Sequence, residues 1–370
     1  MKITIIYGAF LPVPTLLGGA VEKMWIALAK EFVANGHEVV QICRQYEGMA
    51  SDEVVDGLKY HRVKGYSAPE SGLLYKIFDL FYTRRAIRKV PIDTDIIVTN
   101  TFWAPLLLSA SFNKRVMVDV QRMPKGQMKF YKKSRRLRAN STPVAVAIKA
   151  ELSSDLHSKV ITVPNPLPFK VIDQVDLVDK KKEILYVGRV HPEKGLHLLL
   201  SAFKGIDTDW VLKIVGPVDV SAGGGGEQYL NKLKAEANER VQFVGPVYDT
   251  QKLNSYYSDA AVFVYPSVAE KGETFGLAPL EAMAWGCVPV VSNLLCFKDF
   301  IEDQKNGAIF DHRQPNAVDL LKAAIEALLE DSATRKKMAE ESVKVRISHS
   351  TASIASQFLN EFKLMLNETS

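Results

Sequence analysis

Two stretches in the second half of the 370-residue chain collect residue types that handle an anion and hydroxylated rings. In the first, Tyr186-Val187-Gly188-Arg189-Val190-His191-Pro192-Glu193-Lys194-Gly195, an apolar run ends at Gly188 and is followed by Arg189 and then Lys194. If that run is a strand of a parallel sheet, both cations stand at its carboxyl edge, where open α/β folds bind ligands. Two cations there favour an anion such as a diphosphate. In the second stretch, Glu273-Thr274-Phe275-Gly276-Leu277-Ala278-Pro279-Leu280-Glu281-Ala282-Met283-Ala284, a loop containing Gly272 leads into a helix starting near Gly276. First-turn N–H groups and the helix dipole favour an anion in front of such a helix. Glu281 falls about one and a half turns in, where its carboxylate can accept hydrogen bonds from the vicinal hydroxyls of a ribose. Glu273, just before the helix, can reach a second hydroxylated ring across the phosphates. Glutamates at this spacing are common on surfaces, so the weight rests on the two stretches occurring together.

These side chains need a scaffold that delivers loops to one edge. Strands alternating with helices supply it, in the pattern of parallel βαβ units. A strand at 2–7 is followed by a loop with Gly18 and Gly19. A helix comes next, with Val21, Met24, Trp25, Leu28, Ala29 and Phe32 at three-to-four spacing, ended by Gly36. Strands are expected at 38–43, 95–99, 115–120, 143–147 and 160–163, with an amphipathic helix over 73–89. Pro164-Asn165-Pro166-Leu167-Pro168 forbids regular structure and reads as a hinge. A second series follows, with strands at 183–188, 210–215, 241–244, 260–265 and 288–291 and helices at 195–204, 226–238, 250–258 and 276–285. The remainder reads as helices, ending in an amphipathic stretch through Ile354, Phe358, Phe362 and Leu366. The expected fold class is α/β, two Rossmann-like doubly wound domains facing each other across a cleft. Their expected spans are 1–165 and 166–349, with a closing helix at 350–370 that packs back toward the first domain. The Gly223 to Gly226 tract reads as a mobile surface loop.

Composition narrows the class further. With 47% apolar and 24% charged residues the chain is neither disordered nor collagenous. Cys43, Cys287 and Cys296 lack the short paired spacings of zinc or dithiol sites and read as buried bystanders. The opening Lys2-Ile3-Thr4-Ile5-Ile6-Tyr7 has no secretory pattern, and no apolar run approaches the roughly 20 residues of a membrane span. A cytoplasmic protein is expected. The net charge of +5 is unevenly spread, +11 over residues 1–170 against −6 in the rest, which points to an anionic partner. Residues 114–138 hold ten Lys and Arg against Asp119 alone, interleaved with Met123, Met128, Phe130, Tyr131 and Leu137. As an amphipathic basic segment they can lie on anionic lipid at the inner face of a membrane or engage a lipid-linked diphosphate. A solvated basic face is the alternative. No helix-turn-helix, RNA-recognition aromatic pair or zinc spacing supports a nucleic-acid partner.

Together the two stretches resemble the retaining family 4 glycosyltransferases of the two-Rossmann, GT-B type. That family's signature is a Glu, seven residues, Glu motif following a Gly-Arg, Pro-Glu-Lys-Gly segment. Gly18-Gly19-Ala20-Val21-Glu22, Gly36-His37-Glu38-Val39, Pro164-Asn165 and Gly286-Cys287-Val288-Pro289-Val290-Val291 extend the likeness over nearly the whole chain. The resemblance implies transfer of a hexose, with glucose from UDP-glucose leading, from a nucleotide diphosphate sugar to a saccharide or lipid-linked acceptor with retention. Arg189 and Lys194 would hold the diphosphate, Glu281 the ribose and Glu273 the transferred sugar. Gly18, Gly19, Gly188 and the amides of Phe275, Gly276 and Leu277 would line the donor. No cofactor or metal is implied, and no Asp-x-Asp stands at an expected strand end. Relatives often place a histidine on the sugar from the first domain. Here His37 precedes a strand and His61 lies within one, so Asn100 and Gln121, after the strands at 95–99 and 115–120, stand in as acceptor-side residues. A nucleotide-sugar epimerase of the same fold is the alternative, and a nucleic-acid-binding protein a more distant one.

Overall fold

A computed structural model describes the chain except for residues 15–18, 170–174, 176, 178, 179, 369 and 370. Gly18 therefore lies outside the described residues. The chain divides into two compact units, Met1–Lys170 with His349–Ser370, and Val171–Ser348.

The first unit is built on eight strands: β1 (Lys2–Ile6), β2 (Glu38–Arg44), β3 (Asp52–Val55), β4 (Leu58–Val63), β5 (Ile96–Thr99), β6 (Val116–Val120), β7 (Arg136–Ala139) and β8 (Val160–Thr162). Their order is β3-β4-β2-β1-β5-β6-β7-β8, parallel throughout except for the antiparallel β3–β4 pair at the edge. The order reverses at β1, so the carboxyl ends of β1, β5 and β6 frame a topological switch point. Helices cover both faces, which is why the inner strands read as unbroken apolar runs rather than as alternation. One face packs Ile3, Ile5 and Tyr7 against Trp25, Leu28 and Phe32 of helix Ala20–Ala34 and against Ile354, Phe358 and Phe362 of helix Thr351–Asn367. The other packs Ile6, Val40 and Ile97 against Tyr82 and Ala86 of helix Gly72–Ile87 and Val144 and Ile148 of helix Thr142–Ala150.

One expectation fails here for a physical reason. Residues 143–147 are helical, because Ser141 caps the helix by accepting from the Val144 N–H and Pro143 sits in the first turn. The Val-Ala alternation that mimicked a strand is overruled by this start signal. The basic run 114–138 contains β6 and β7 and buries Arg136 and Arg138. Arg138 pairs at 2.6 Å with the buried Asp119, Arg135 and Arg136 pair with Glu368, and Arg115 donates to the Thr94 carbonyl at 2.7 Å. Lys114, Arg122, Lys125, Lys129, Lys132 and Lys133 are the cations that remain exposed.

The second unit has six parallel strands: β9 (Lys181–Val187), β10 (Val211–Val215), β11 (Val241–Gly245), β12 (Ala260–Tyr265), β13 (Val288–Ser292) and β14 (Ala308–Phe310), in the order β11-β10-β9-β12-β13-β14. Here the switch point falls between β9 and β12. Both motif-bearing loops leave the sheet at that edge, one after each of these neighbouring strands. The Gly223 to Gly226 tract is no slack loop: Gly224, Gly225 and Gly226 donate to the carbonyls of Asp219, Val190 and Val218 at 2.8–2.9 Å.

Candidate functional site

Arg189 and Lys194 emerge just beyond β9, and they are held differently. Arg189 keeps 42% of its side chain exposed and donates to Glu193 Oε1 at 2.6 Å and to the Gly223 carbonyl at 2.7 Å. Tyr186, buried in β9, donates to the Arg189 carbonyl at 2.9 Å and fixes the backbone there. Lys194 turns inward to a 6% exposed position and meets Glu273 Oε2 at 2.8 Å. Tyr265, the last residue of β12, donates to the same oxygen at 3.1 Å, and its ring lies 5.4 Å from the Lys194 ammonium. Burial first, and then the Glu273 charge, push the Tyr265 hydroxyl well above its usual pKa, so it remains a donor.

The backbone that makes this meeting possible is short of space. Gly195 has φ 69°, and a Cβ there would stand 2.0 Å from the Pro266 carbonyl oxygen. The turn after β9 therefore closes directly onto the loop that carries Glu273. Val268 N–H and Ser267 Oγ both donate to the Glu193 carbonyl, at 2.9 and 3.3 Å, joining the two loops again. Glu270 is tied by His312 at 3.0 Å and Arg313 at 2.8 Å, which pins the far end of the same loop. Gly276 precedes helix Leu277–Ala284 with φ 93°, and a Cβ there would lie 2.5 Å from Phe297 Cε1. Phe275 packs on Phe300 with ring centroids 5.5 Å apart. Glu281, half-buried in the helix, neighbours the fully buried Tyr257, whose pKa is raised by burial and then by the Glu281 charge.

The structure thus gathers Lys194, Glu273 and Tyr265 in one contact set, while Arg189 answers to Glu193. Glu193 and Tyr265 received no role from sequence. Glu193 was visible inside the Pro-Glu-Lys-Gly segment, and Tyr265 only as the end of an apolar run. Gly19, Asn100 and Gln121 belong to the first unit, where they line a cavity of about 520 Å³ at the carboxyl ends of β1, β5 and β6. Gln121 is committed inside the protein: its Nε2 donates to both Asp119 oxygens, at 3.0 and 2.9 Å, and its Oε1 accepts from Asn140 and Asn165. Asn165 also accepts from Arg138 at 2.8 Å. Gln121 therefore anchors the wall. Among the described residues no group of three or more His, Cys, Asp and Glu is placed to hold a metal ion.

A chemistry follows from the second-unit edge. Two cations and a carboxylate held by lysine and tyrosine stand on the loops after β9 and β12, the second of which leads into helix Leu277–Ala284. The family Glycosyl transferases group 1 matches residues 170–345, which is this unit with its motif loops. An uncharacterized glycosyltransferase of Methanocaldococcus jannaschii is 25% identical over 92% of the chain and 93% of its own length. The second unit carries the group 1 glycosyltransferase match, and the chain has the GT-B fold. A phosphatidyl-myo-inositol mannosyltransferase of Mycobacterium leprae is 29% identical over 49% of the chain and 46% of that protein. Among solved structures, sucrose-phosphate synthase of Thermosynechococcus elongatus aligns with TM-score 0.76 at 17% identity over 99% of both chains. HepE of Anabaena, solved with UDP and glucose, aligns with TM-score 0.71 at 16% identity over 98% of this chain and 99% of that one. These two likenesses concern the fold. The GT-B neighbours share the two parallel-sheet α/β units described above.

Proposed function

We propose that the chain is a glycosyltransferase that moves a hexose, with glucose from UDP-glucose as the leading donor, from a nucleotide diphosphate sugar to an acceptor hydroxyl of a saccharide or lipid-linked glycan, with retention at the anomeric carbon. The observation that carries the reading is the Lys194, Glu273 and Tyr265 contact set beside a glycine-led helix at the switch point of the second sheet. The names of the relatives support donor sugars in general, and the UDP and glucose of HepE make UDP-glucose the first donor to test.

In this reading Lys194 keeps Glu273 oriented with one of its three donors and offers the others to the diphosphate. Arg189, already aimed by Glu193 and Gly223, shares the charge that grows on the departing phosphate as the glycosidic bond stretches. Donors fixed in advance lower that barrier because they need no reorganisation. Glu273 accepts from hydroxyls of the transferred sugar, and Glu281 from those of the ribose. The acceptor attacks the same face from which the phosphate leaves, and the phosphate takes its proton. No metal is needed for charge balance in this scheme.

Calorimetry with UDP and initial rates with UDP-glucose test it. Glu281→Ala is expected to weaken UDP binding about tenfold, the scale of a lost charged hydrogen-bond acceptor. Glu273→Gln keeps groups for Lys194 and Tyr265 to contact. It is expected to lower kcat about a hundredfold while changing UDP affinity little. A wild type that binds no nucleotide ends the proposal.

A further inference from the structure

One buried ring links both motif loops of the second unit. Tyr265 ends β12, and its ring stacks on Tyr186 of β9 with centroids 5.7 Å apart and planes 12° from parallel. Each hydroxyl of this pair holds one loop: Tyr186 donates to the Arg189 carbonyl at 2.9 Å, and Tyr265 to Glu273 Oε2 at 3.1 Å. The Lys194 ammonium lies 5.4 Å from the Tyr265 centroid and meets the same Glu273 oxygen at 2.8 Å. Phe297 meets the Tyr265 ring edge-on at 6.0 Å, and the same Phe297 fills the space that a Cβ on Gly276 would need. Gly188 makes room for the pair, since a Cβ there would stand 2.8 Å from the Tyr186 oxygen and 3.2 Å from Tyr265 Cε2. Lys194 and Tyr265 thus both bind Oε2, whereas Oε1 of Glu273 has no hydrogen-bond or ion-pair partner among the described residues. That second oxygen is the one left for a ligand.

We propose that Tyr265 is a positioning residue for the transfer: by taking Oε2 together with Lys194 it fixes the Glu273 carboxylate in one orientation and leaves Oε1 to read a hydroxyl of the transferred sugar. The proposal rests on the transferase reading, in which Glu273 faces that sugar. Lysine alone does not set the orientation, because an ammonium is a point charge with three rotatable donors and follows its partner as it turns. The tyrosine hydroxyl adds a directional bond from a ring that is held on several sides, stacked on Tyr186 and Phe263 and met by Phe297. Burial raises the Tyr265 pKa well above its usual value, so the proton it donates stays in place. Hydrogen bonds to a charged acceptor are among the stronger ones. A carboxylate locked by packed neighbours is preset for the reaction and needs no reorganisation during it. The end of an apolar strand thereby sets how strictly the sugar is read.

Tyr265→Phe keeps the ring and its stacking and removes only the hydroxyl. Initial rates with UDP-glucose and its epimer UDP-galactose, calorimetry with UDP and urea unfolding of the same variant test the role. For the better donor kcat is expected to fall about tenfold, with UDP affinity held within about twofold. The ratio of kcat/KM between the two epimers is expected to narrow about fivefold, since a carboxylate free to turn discriminates hydroxyl positions less. In a Glu273→Ala background, which has no carboxylate to orient, adding Tyr265→Phe is expected to change residual turnover no further. Unchanged kcat and epimer ratio in Tyr265→Phe would overturn the proposal. An undiminished effect in the Glu273→Ala background would do the same, as would a loss of turnover matched by equal losses of UDP affinity and urea stability, because each marks Tyr265 as packing alone. A wild type that binds no UDP or turns over neither donor would instead remove the transferase reading, which separates the two failures.

Discussion

Single residues in this protein are defined by what neutralises them. Arg138 is fully buried yet donates to Asp119, Asn165 and the Val163 carbonyl, so its charge is completely answered. Asp79 and His349 are also buried, and burial shifts both within the first unit. Burial raises Asp79 from 3.8 to about 6, so the folded state holds its proton longer than the unfolded chain does. Its penalty is absent below pH 4, grows between 4 and 6 and is complete above, reaching about 3 kcal/mol. Burial lowers His349 from 6.5 to about 4, so here the unfolded chain binds the proton first. Stability is intact above pH 6.5 and lost as the pH falls toward 4. The two slopes oppose each other in the same window. Urea titrations are therefore expected to show Asp79→Asn stabilising at pH 8 and neutral at pH 4. His349→Asn should gain relative to wild type only on acidification. Matching pH profiles for wild type and both variants would refute the assignment.

At the scale of elements, the two motif loops of the second unit act as one object. Glu193, Val268 and Ser267 share hydrogen bonds, and Gly195 lets the two backbones touch. Gly195→Ala leaves every charged side chain in place but puts a methyl group 2.0 Å from the Pro266 oxygen at a φ of 69°. Strain of this kind costs about 1–3 kcal/mol, and moving apart is the available relief. The variant is expected to lose turnover about tenfold or more with the Lys194–Glu273 contact broken, read from rates with UDP-glucose. Gly205→Ala is the control, since its nearest contacts are 3.6 Å away and its backbone is ordinary. Equal rates for the two would show that the loops do not depend on this contact. The closing helix Thr351–Asn367 is a second such case. Its rings reach Trp25 at 5.0 Å and Phe32 at 5.7 Å, so the end of the chain completes the core begun by the first helix.

For the whole molecule, charge asymmetry has to be read after folding. Of the basic run, Arg135, Arg136 and Arg138 belong to β7 and its surroundings and serve ion pairs inside the first unit. Lys125, Lys129, Lys132 and Lys133 stay exposed around Phe130, itself 52% exposed, and these are the groups able to meet an anionic surface. No helix among the described residues is long and apolar enough to cross a membrane. Peripheral contact is our proposal for this patch. Replacing these four lysines by serine is expected to abolish salt-sensitive cosedimentation with phosphatidylglycerol vesicles, at about 1 kcal/mol for each cation removed. Undiminished sedimentation of the variant would count against a membrane role.

Sequence by itself determined what depends on neighbours in the chain. The alternation of apolar strands and helices, the loops after β9 and β12, Gly276 at a helix start and the Glu273 to Glu281 spacing were legible because periodicity and caps act within a few residues. It misjudged 143–147, where one cap outweighed an alternating pattern, and it left open which arginines of the basic run are buried, since buried and solvated ones look alike until their partners are known. Tertiary structure alone decided that Lys194 meets Glu273, 79 residues away, with Tyr265 on the same oxygen. It also decided that Gln121 braces a wall and that Asp79 is buried at the lining of the first unit's cavity. Burial and pairing are properties of the packed chain, and residue type and spacing constrain them only loosely.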